Sequence, residues 1–152
     1  MRKYTIYLAG QISKDIRTYQ WRERAIELLG SYDNIEIINP CSSRFNKELV
    51  KDAKTFDFWI RQDYVKLLVP KDRNHVKTAD ILIVDLNWYS KSKPMIGTFF
   101  ELGWAFDQEN TMVIGISKRK NYISTHPFIL QSVDIMVKDI DEACKTVLWI
   151  LD

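Results

Sequence analysis

The stretch Gly97-Thr98-Phe99-Phe100-Glu101-Leu102-Gly103-Trp104-Ala105 places one carboxylate three residues after a threonine, where a glycine turn opens a helical pattern. Two chemistries fit that spacing. As a capping box, Thr98 ends the helix and Glu101 reaches back to the Thr98 backbone amide. As a nucleophile, Glu101 lies at the positive end of the helix dipole, which keeps a nearby carboxylate ionised. Spacing leaves both roles open, and they are compatible. Gly103 in the same helix costs about 1 kcal/mol relative to alanine, which points to close packing against a strand or a ligand.

The other reactive side chains have less context. His75 and His126 carry no Ser/His/Asp or metal-ligand spacing and read as structural or surface residues. Cys41 and Cys144 form no CxxC pair, so a reducing compartment is expected and no metal is. Neither GxGxxG nor GxxxxGK[ST] occurs, which disfavours dinucleotides and nucleoside triphosphates, and no cofactor is expected. The 22 basic and 20 acidic residues are interspersed, and the longest basic run is Lys118-Arg119-Lys120. Proteins that bind polymeric nucleic acid concentrate Lys and Arg on one face, so the expected partner is a small molecule. The apolar run near the N-terminus stops at Gly10, unlike a signal peptide, and no segment approaches a membrane span. The expectation is a cytoplasmic protein.

The elements that must position Glu101 follow from periodicity. Strands are expected over Tyr4 to Ala9, Ile35 to Asn39, Ile81 to Leu86, Met112 to Ile116 and Asp134 to Val137, mostly continuous runs of branched apolar residues. Trp21, Ala25, Leu28 and Leu29 put an apolar stripe on a helix from about Thr18 to Leu29, with Trp21 packing the core. Ile140, Ala143, Cys144, Val147, Leu148 and Leu151 do the same at the C-terminus, which makes Cys144 a core residue. A helix should run from Thr98 through Asp107, and Phe56 to Leu68 suits another. Strand and helix alternation over 152 residues predicts a single-domain α/β fold, a doubly wound, mostly parallel five-stranded sheet of flavodoxin or Rossmann-like type, with helices on both faces. Ligands bind such sheets at the carboxyl ends of the strands. Asp85, at the end of the third strand, is therefore a pocket candidate, whereas Asp80 stands where that strand begins.

Three segments in order, Thr5-Ile6-Tyr7-Leu8-Ala9-Gly10, Ala79-Asp80-Ile81-Leu82-Ile83-Val84-Asp85-Leu86, and Gly97-Thr98 with Glu101-Leu102-Gly103-Trp104-Ala105, resemble the nucleoside 2-deoxyribosyltransferase family and its relatives, the Rcl-like nucleotide N-glycosidases. The similarity spans most of the chain. It implies that Glu101 attacks the anomeric carbon, that Asp63 contacts the nucleobase and takes part in proton transfer, and that Tyr7 lies near the nucleophile. Substrate binding is expected from Gly10, Gln11, Asp85, Gly97 and Thr98. The resemblance also implies at least a homodimer with shared active sites, with Trp88, Tyr89, Phe99 and Trp104 available for the interface and for base stacking.

The chain departs from the family at two positions. Met95 stands six residues before Glu101, where some members carry an acid for the sugar hydroxyls and the nucleotide N-glycosidases a serine for phosphate. Ile129 aligns near the asparagine that a neighbouring subunit lends to the site. Ser90, Ser92, Gln11 or Ser132 are the available substitutes for sugar recognition. With no basic phosphate clamp evident near Gly10, the expected activity is transfer of 2-deoxyribose between nucleobases. An N-glycosidase acting on a nucleoside or 5′-nucleotide is the enzymatic alternative, and a non-catalytic nucleotide-binding module or a structural subunit are the others.

Overall fold

Five strands order themselves as β2-β1-β3-β4-β5 in one sheet, with every neighbouring pair parallel. The structure is a computed structural model that describes residues 1–42 and 62–152, and for residues 62–65 the backbone alone. The strands are β1 (Tyr4–Ala9), β2 (Ile35–Ile38), β3 (Ile81–Asp85), β4 (Met112–Ile116) and β5 (Ile135–Val137). Between them run α1 (Arg17–Leu29), α2 (Gln62–Thr78), α3 (Ile96–Phe106), α4 (Pro127–Gln131) and the C-terminal α5 (Ile140–Leu151), with a 3-10 turn at Pro40–Ser42. All five expected strands are present within a residue of their limits.

Alternation along the strands sorts the core into two layers, because successive side chains point to opposite faces. Ile6, Leu8, Ile81, Ile83, Ile114 and Ile116 face α1 and α5 and pack with Trp21, Ala25, Leu29, Ala143, Cys144 and Val147. Tyr7, Ala9, Leu82, Val84 and Val113 face the other way and pack with Val76, Leu102, Ala105 and Ile129. Cys144 is therefore a core residue. Asp80 accepts a bond from the Thr5 amide at 2.8 Å and pairs with Arg2 at 2.7 Å, fastening the amino end of β3 to β1.

Register sets the position of the site. Ala9 pairs with Val84 and Val84 with Gly115, so β1 and β3 finish level with each other. The strand order reverses at this pair, since β1 has β2 on one side and β3 on the other. That is the switch point at which a parallel sheet opens a ligand crevice.

Two local expectations are corrected. α3 begins at Ile96, so Thr98 lies inside the helix, buried, and no side chain caps the helix at Met95. Glu101 stands in the second turn, beyond the amides that a capping box or the dipole's positive end requires. A capping arrangement forms instead on α5, where Asp139 accepts from the Glu142 amide and Glu142 accepts from the Lys138 amide, both at 2.9 Å. The helix expected over Phe56 to Leu68 lies outside the described residues up to residue 61; from Gln62 it continues through Pro70 to Thr78.

Gly103 does not pack closely. A Cβ built there meets nothing within 4 Å. Helix propensity should then decide the effect of a substitution, and Gly103→Ala should stabilise the fold by about 0.5–1 kcal/mol. Urea denaturation checks this, and a loss of stability would mean that Gly103 meets a contact outside the described residues.

Candidate active site

Glu101 projects from the sheet side of α3, on the same flank as Thr98 and Ala105, and is 9% exposed. Tyr7 reaches it from β1 with a ring that is fully buried. The Tyr7 hydroxyl and the Glu101 carboxyl are near enough to perturb each other, in a geometry short of a closed hydrogen bond, and the hydroxyl has no other partner among the described residues. Burial pushes the Glu101 carboxyl up to about 7; Tyr7 opposes that rise, Asp72 adds to it, and Arg22 opposes it. The Tyr7 hydroxyl is raised far above the ordinary phenol range, chiefly by burial and then by the Glu101 and Asp72 charges.

Asp72 is the residue that sequence reasoning missed. It lies on α2 among Leu68, His75 and Val76, the half-buried and buried positions of that helix, and burial raises its carboxyl above the usual range. Leu68, Asp72 and Val76 are spaced i, i+4 and i+8, so a carboxylate interrupting an inward stripe was the available signal. Asp63 belongs to the first turn of α2 as described, but its side chain is outside the described residues.

The strand ends supply the rest. Asp85 is 1% exposed and accepts from the Asn87 amide at 3.1 Å, the Asn87 side chain at 2.7 Å and the Tyr89 hydroxyl at 2.5 Å. Burial raises its carboxyl, against those bonds and the Arg22 charge. Gly10 is in close contact on all sides: a Cβ there would lie 3.0 Å from Trp21, 3.2 Å from the Asp85 Cβ and 3.3 Å from an Arg22 nitrogen. Gln11 is buried with its side-chain oxygen unpartnered among the described residues. Gly97 precedes Glu101 by four residues and so shares its flank of α3, with open space above its Cα. Glu101, Tyr7 and Thr98 are thus buried on one face of the sheet, with Gly97 exposed one helical turn before Glu101. Asp85 and Gly10 adjoin them across the strand ends.

A separate cavity of about 580 Å³ opens on the far side of α3, lined by apolar groups including Trp88, Met95, Phe99, Leu102, Tyr122 and Ile129. Both positions that depart from the family, Met95 and Ile129, line it. Trp88 and Phe99 face this cavity, while Tyr89 is engaged by Asp85 and Trp104 lies against Phe100 at a tilt of 54° with ring centres 5.8 Å apart. His126 borders the cavity and caps α4, its ring nitrogen accepting from the Phe128 amide at 3.3 Å. Among the described residues no cluster of three His, Cys, Asp or Glu side chains is arranged to hold a metal ion. No helix of the described residues is long and apolar enough to cross a membrane.

The Glu101 burial has a thermodynamic sign. Its folded carboxyl binds a proton more tightly than the unfolded one, whose ordinary value is 4.5. Stability is therefore greatest below 4.5 and declines as pH rises through about 7. Glu101→Gln removes this liability and should exceed wild-type stability by up to about 3 kcal/mol at pH 8. Thermal melts at pH 5 and 8 check the difference, which should shrink at the lower pH; a pH-independent gap would contradict it.

No family model matches the chain, and no curated protein matches it by sequence. Solved structures do. A 2-deoxyribosyltransferase from Bacillus psychrosaccharolyticus superposes with a TM-score of 0.62 at 20% identity, covering 91% of this chain and 89% of the other. A 2-deoxyribosyltransferase from Leishmania mexicana gives 0.54 at 17% identity, with 95% of both chains covered. The CMP N-glycosidase BcmB of Clostridium botulinum gives 0.50 at 14% identity, over 94% of this chain and 97% of that one. The chain shares the fold of 2-deoxyribosyltransferases, a five-stranded all-parallel α/β sheet, over nearly its whole length.

Proposed function

We propose that the protein is a nucleoside 2′-deoxyribosyltransferase that moves 2-deoxyribose between nucleobases with net retention. The observation that carries this reading is a buried Glu101 carboxyl beside the Tyr7 hydroxyl, at the switch point of a sheet shared with deoxyribosyltransferases. In the proposed reaction a Glu101 oxygen attacks C1′ as the N-glycosidic bond breaks, and the bonding pair leaves with the base, which takes up a proton. A nitrogen of the incoming base then attacks C1′ and displaces the carboxylate, and that base gives up its N–H proton to the group that protonated the first. The carboxylate stabilises the positive charge that develops on the sugar before trapping it as an ester. Tyr7, with its hydroxyl beside the carboxylate, is placed to donate to it when the hydrogen bond closes in the substrate complex. Water in place of the second base would make the same apparatus an N-glycosidase. The expected setting is cytoplasmic nucleotide salvage.

Proton transfer to the leaving base falls to an α2 carboxylate. The resemblance assigns it to Asp63, but Asp72 is the α2 carboxylate seen to influence both Glu101 and Tyr7, and a carboxyl held above its usual range is suited to donate. Gly10, Gln11, Asp85, Gly97 and Thr98 are proposed to line the substrate's place, with Asp85 acting through Asn87 and Tyr89. We also infer a homo-oligomer, at least a dimer. Phe99, Tyr122 and Phe128 are 38%, 69% and 82% exposed around the apolar cavity, which supports an interface there. Sedimentation should give at least twice the 18.0 kDa chain mass.

The deciding experiment incubates the protein with deoxyinosine or thymidine, with and without free adenine or cytosine, and follows products by chromatography. A new nucleoside that forms only with added base supports transfer; free base without acceptor indicates hydrolysis, and no turnover favours a binding module. Activity should rise with pH to a midpoint near 7 as Glu101 ionises. Glu101→Ala should abolish turnover with the fold retained, and Asp72→Asn should lower kcat by roughly 10²–10⁴. Wild-type turnover in Asp72→Asn would return the proton-transfer role to Asp63.

A further inference from the structure

Two asparagines tie the loops beyond β3 and β4 to each other. Asn87, half-buried just past β3, uses both ends of its side-chain amide: the nitrogen donates to the Asp85 carboxylate at 2.7 Å, and the oxygen accepts from the Lys118 backbone amide at 2.9 Å. Asn121 returns the link from the other loop. Its nitrogen donates to the Leu86 carbonyl at 3.0 Å, and its oxygen accepts from the Ile123 and Ser124 amides at 2.8 and 2.9 Å. The orientation of Asn87 is set by its neighbours, since turning the amide over would bring its nitrogen against the Lys118 N–H and its oxygen against a carboxylate. Leucine at this position offers neither group, and an ionised aspartate offers no donor.

We propose that Asn87 is a positioning residue for substrate binding: held by Asp85, it sets the β4–α4 loop against the end of β3 and so fixes the wall of the crevice on that side. This rests on the strand-end crevice as the substrate's place in the transferase reading. The same carboxylate reaches the third loop. Its other oxygen accepts from the Tyr89 hydroxyl at 2.5 Å, and the Arg17 guanidinium of α1 lies 4.9 Å from the centre of the Tyr89 ring. Asp85, buried at the end of β3, is thus the fixed point from which Asn87 holds its loop. Glu101 is held separately, by the packing of Leu102 and Ala105 of α3 on the sheet. A slack clasp should therefore weaken binding and leave the chemistry at Glu101 in place.

The test reads the Lys118 amide directly, by hydrogen exchange of ¹⁵N-labelled protein relative to the intrinsic rate at each pH. Asn87→Ala removes both bonds. Protection of Lys118 should fall about tenfold, and KM for deoxyinosine should rise about tenfold with kcat within about twofold of wild type. A merely structural role would instead cut the folded fraction and scale kcat with KM unmoved. Unmoved protection in a folded variant, or lost protection with KM unmoved, overturns the proposal. Asn87→Asp sets two carboxylates where the 2.7 Å bond stood, so Lys118 should be unprotected at pH 8. A proton taken up by the pair restores an O–H between them and an oxygen facing Lys118, so protection should return towards pH 5. Among the described residues, Tyr89 and Arg22 are the other titratable groups bearing on Asp85. If Asn87→Ala does not fold, Asn87→Asp decides alone, and protection that does not change with pH overturns the proposal. Should the wild type bind thymidine without turnover, an affinity about tenfold weaker in Asn87→Ala retains the proposal and removes the transferase reading. Turnover by the wild type with no change in Asn87→Ala does the reverse.

Discussion

The site depends on a carboxylate taken out of water without an ion pair among the described residues. Glu101 is held against the sheet by the packing of α3 on β1, β3 and β4, and the groups around it are a phenol, a second carboxyl and a cation whose hydrogen bonds go to backbone carbonyls. An ion pair would lower the energy of the charged form and weaken its nucleophilicity; burial alone would keep the group protonated. The arrangement lies between these, and a carboxyl near 7 is its result. The fold contributes by making β1 and β3 end level, with an α3 side chain beside a β1 side chain on one face of the sheet and an α1 side chain hydrogen-bonded to the Gly10 carbonyl just past the end of β1.

Most of the architecture was legible because a sheet covered on both faces leaves unbroken apolar runs, and the covered helices α1 and α5 leave a 3.6-residue stripe. The α3 start was not legible. Gly97 and Thr98 look like a turn and a cap, yet Pro94 and Met95 precede the helix and Ile96 opens it, with the Phe99 amide bonded to the Met95 carbonyl at 3.0 Å. Packing of Thr98 against the sheet outweighed its capping preference.

Polar residues on inward faces account for what was missed at the site. Arg22 follows Trp21 on α1, and the buried positions of that helix are Thr18, Trp21, Arg22, Ala25 and Leu29, so the charge lies within the stripe. Asp72 does the same on α2. A rule that sends charged residues outward discards both. The resemblance gave Glu101 and Tyr7 their roles, while spacing left Glu101 with two roles and periodicity placed Tyr7 only as a residue of the first strand.

An all-parallel sheet has no hairpins, so none of its pairings forms from chain neighbours. The central one joins Ile6–Ala9 to Ile81–Val84, and the chain must close that long loop before the pairing returns any free energy. Tyr7 is made early in synthesis, whereas Glu101 follows β3, so the two meet only after the sheet's middle has assembled. Glu101 in a partly folded chain is a solvated, ordinary glutamate. Its displaced titration is therefore a marker of the assembled sheet rather than of α3 itself.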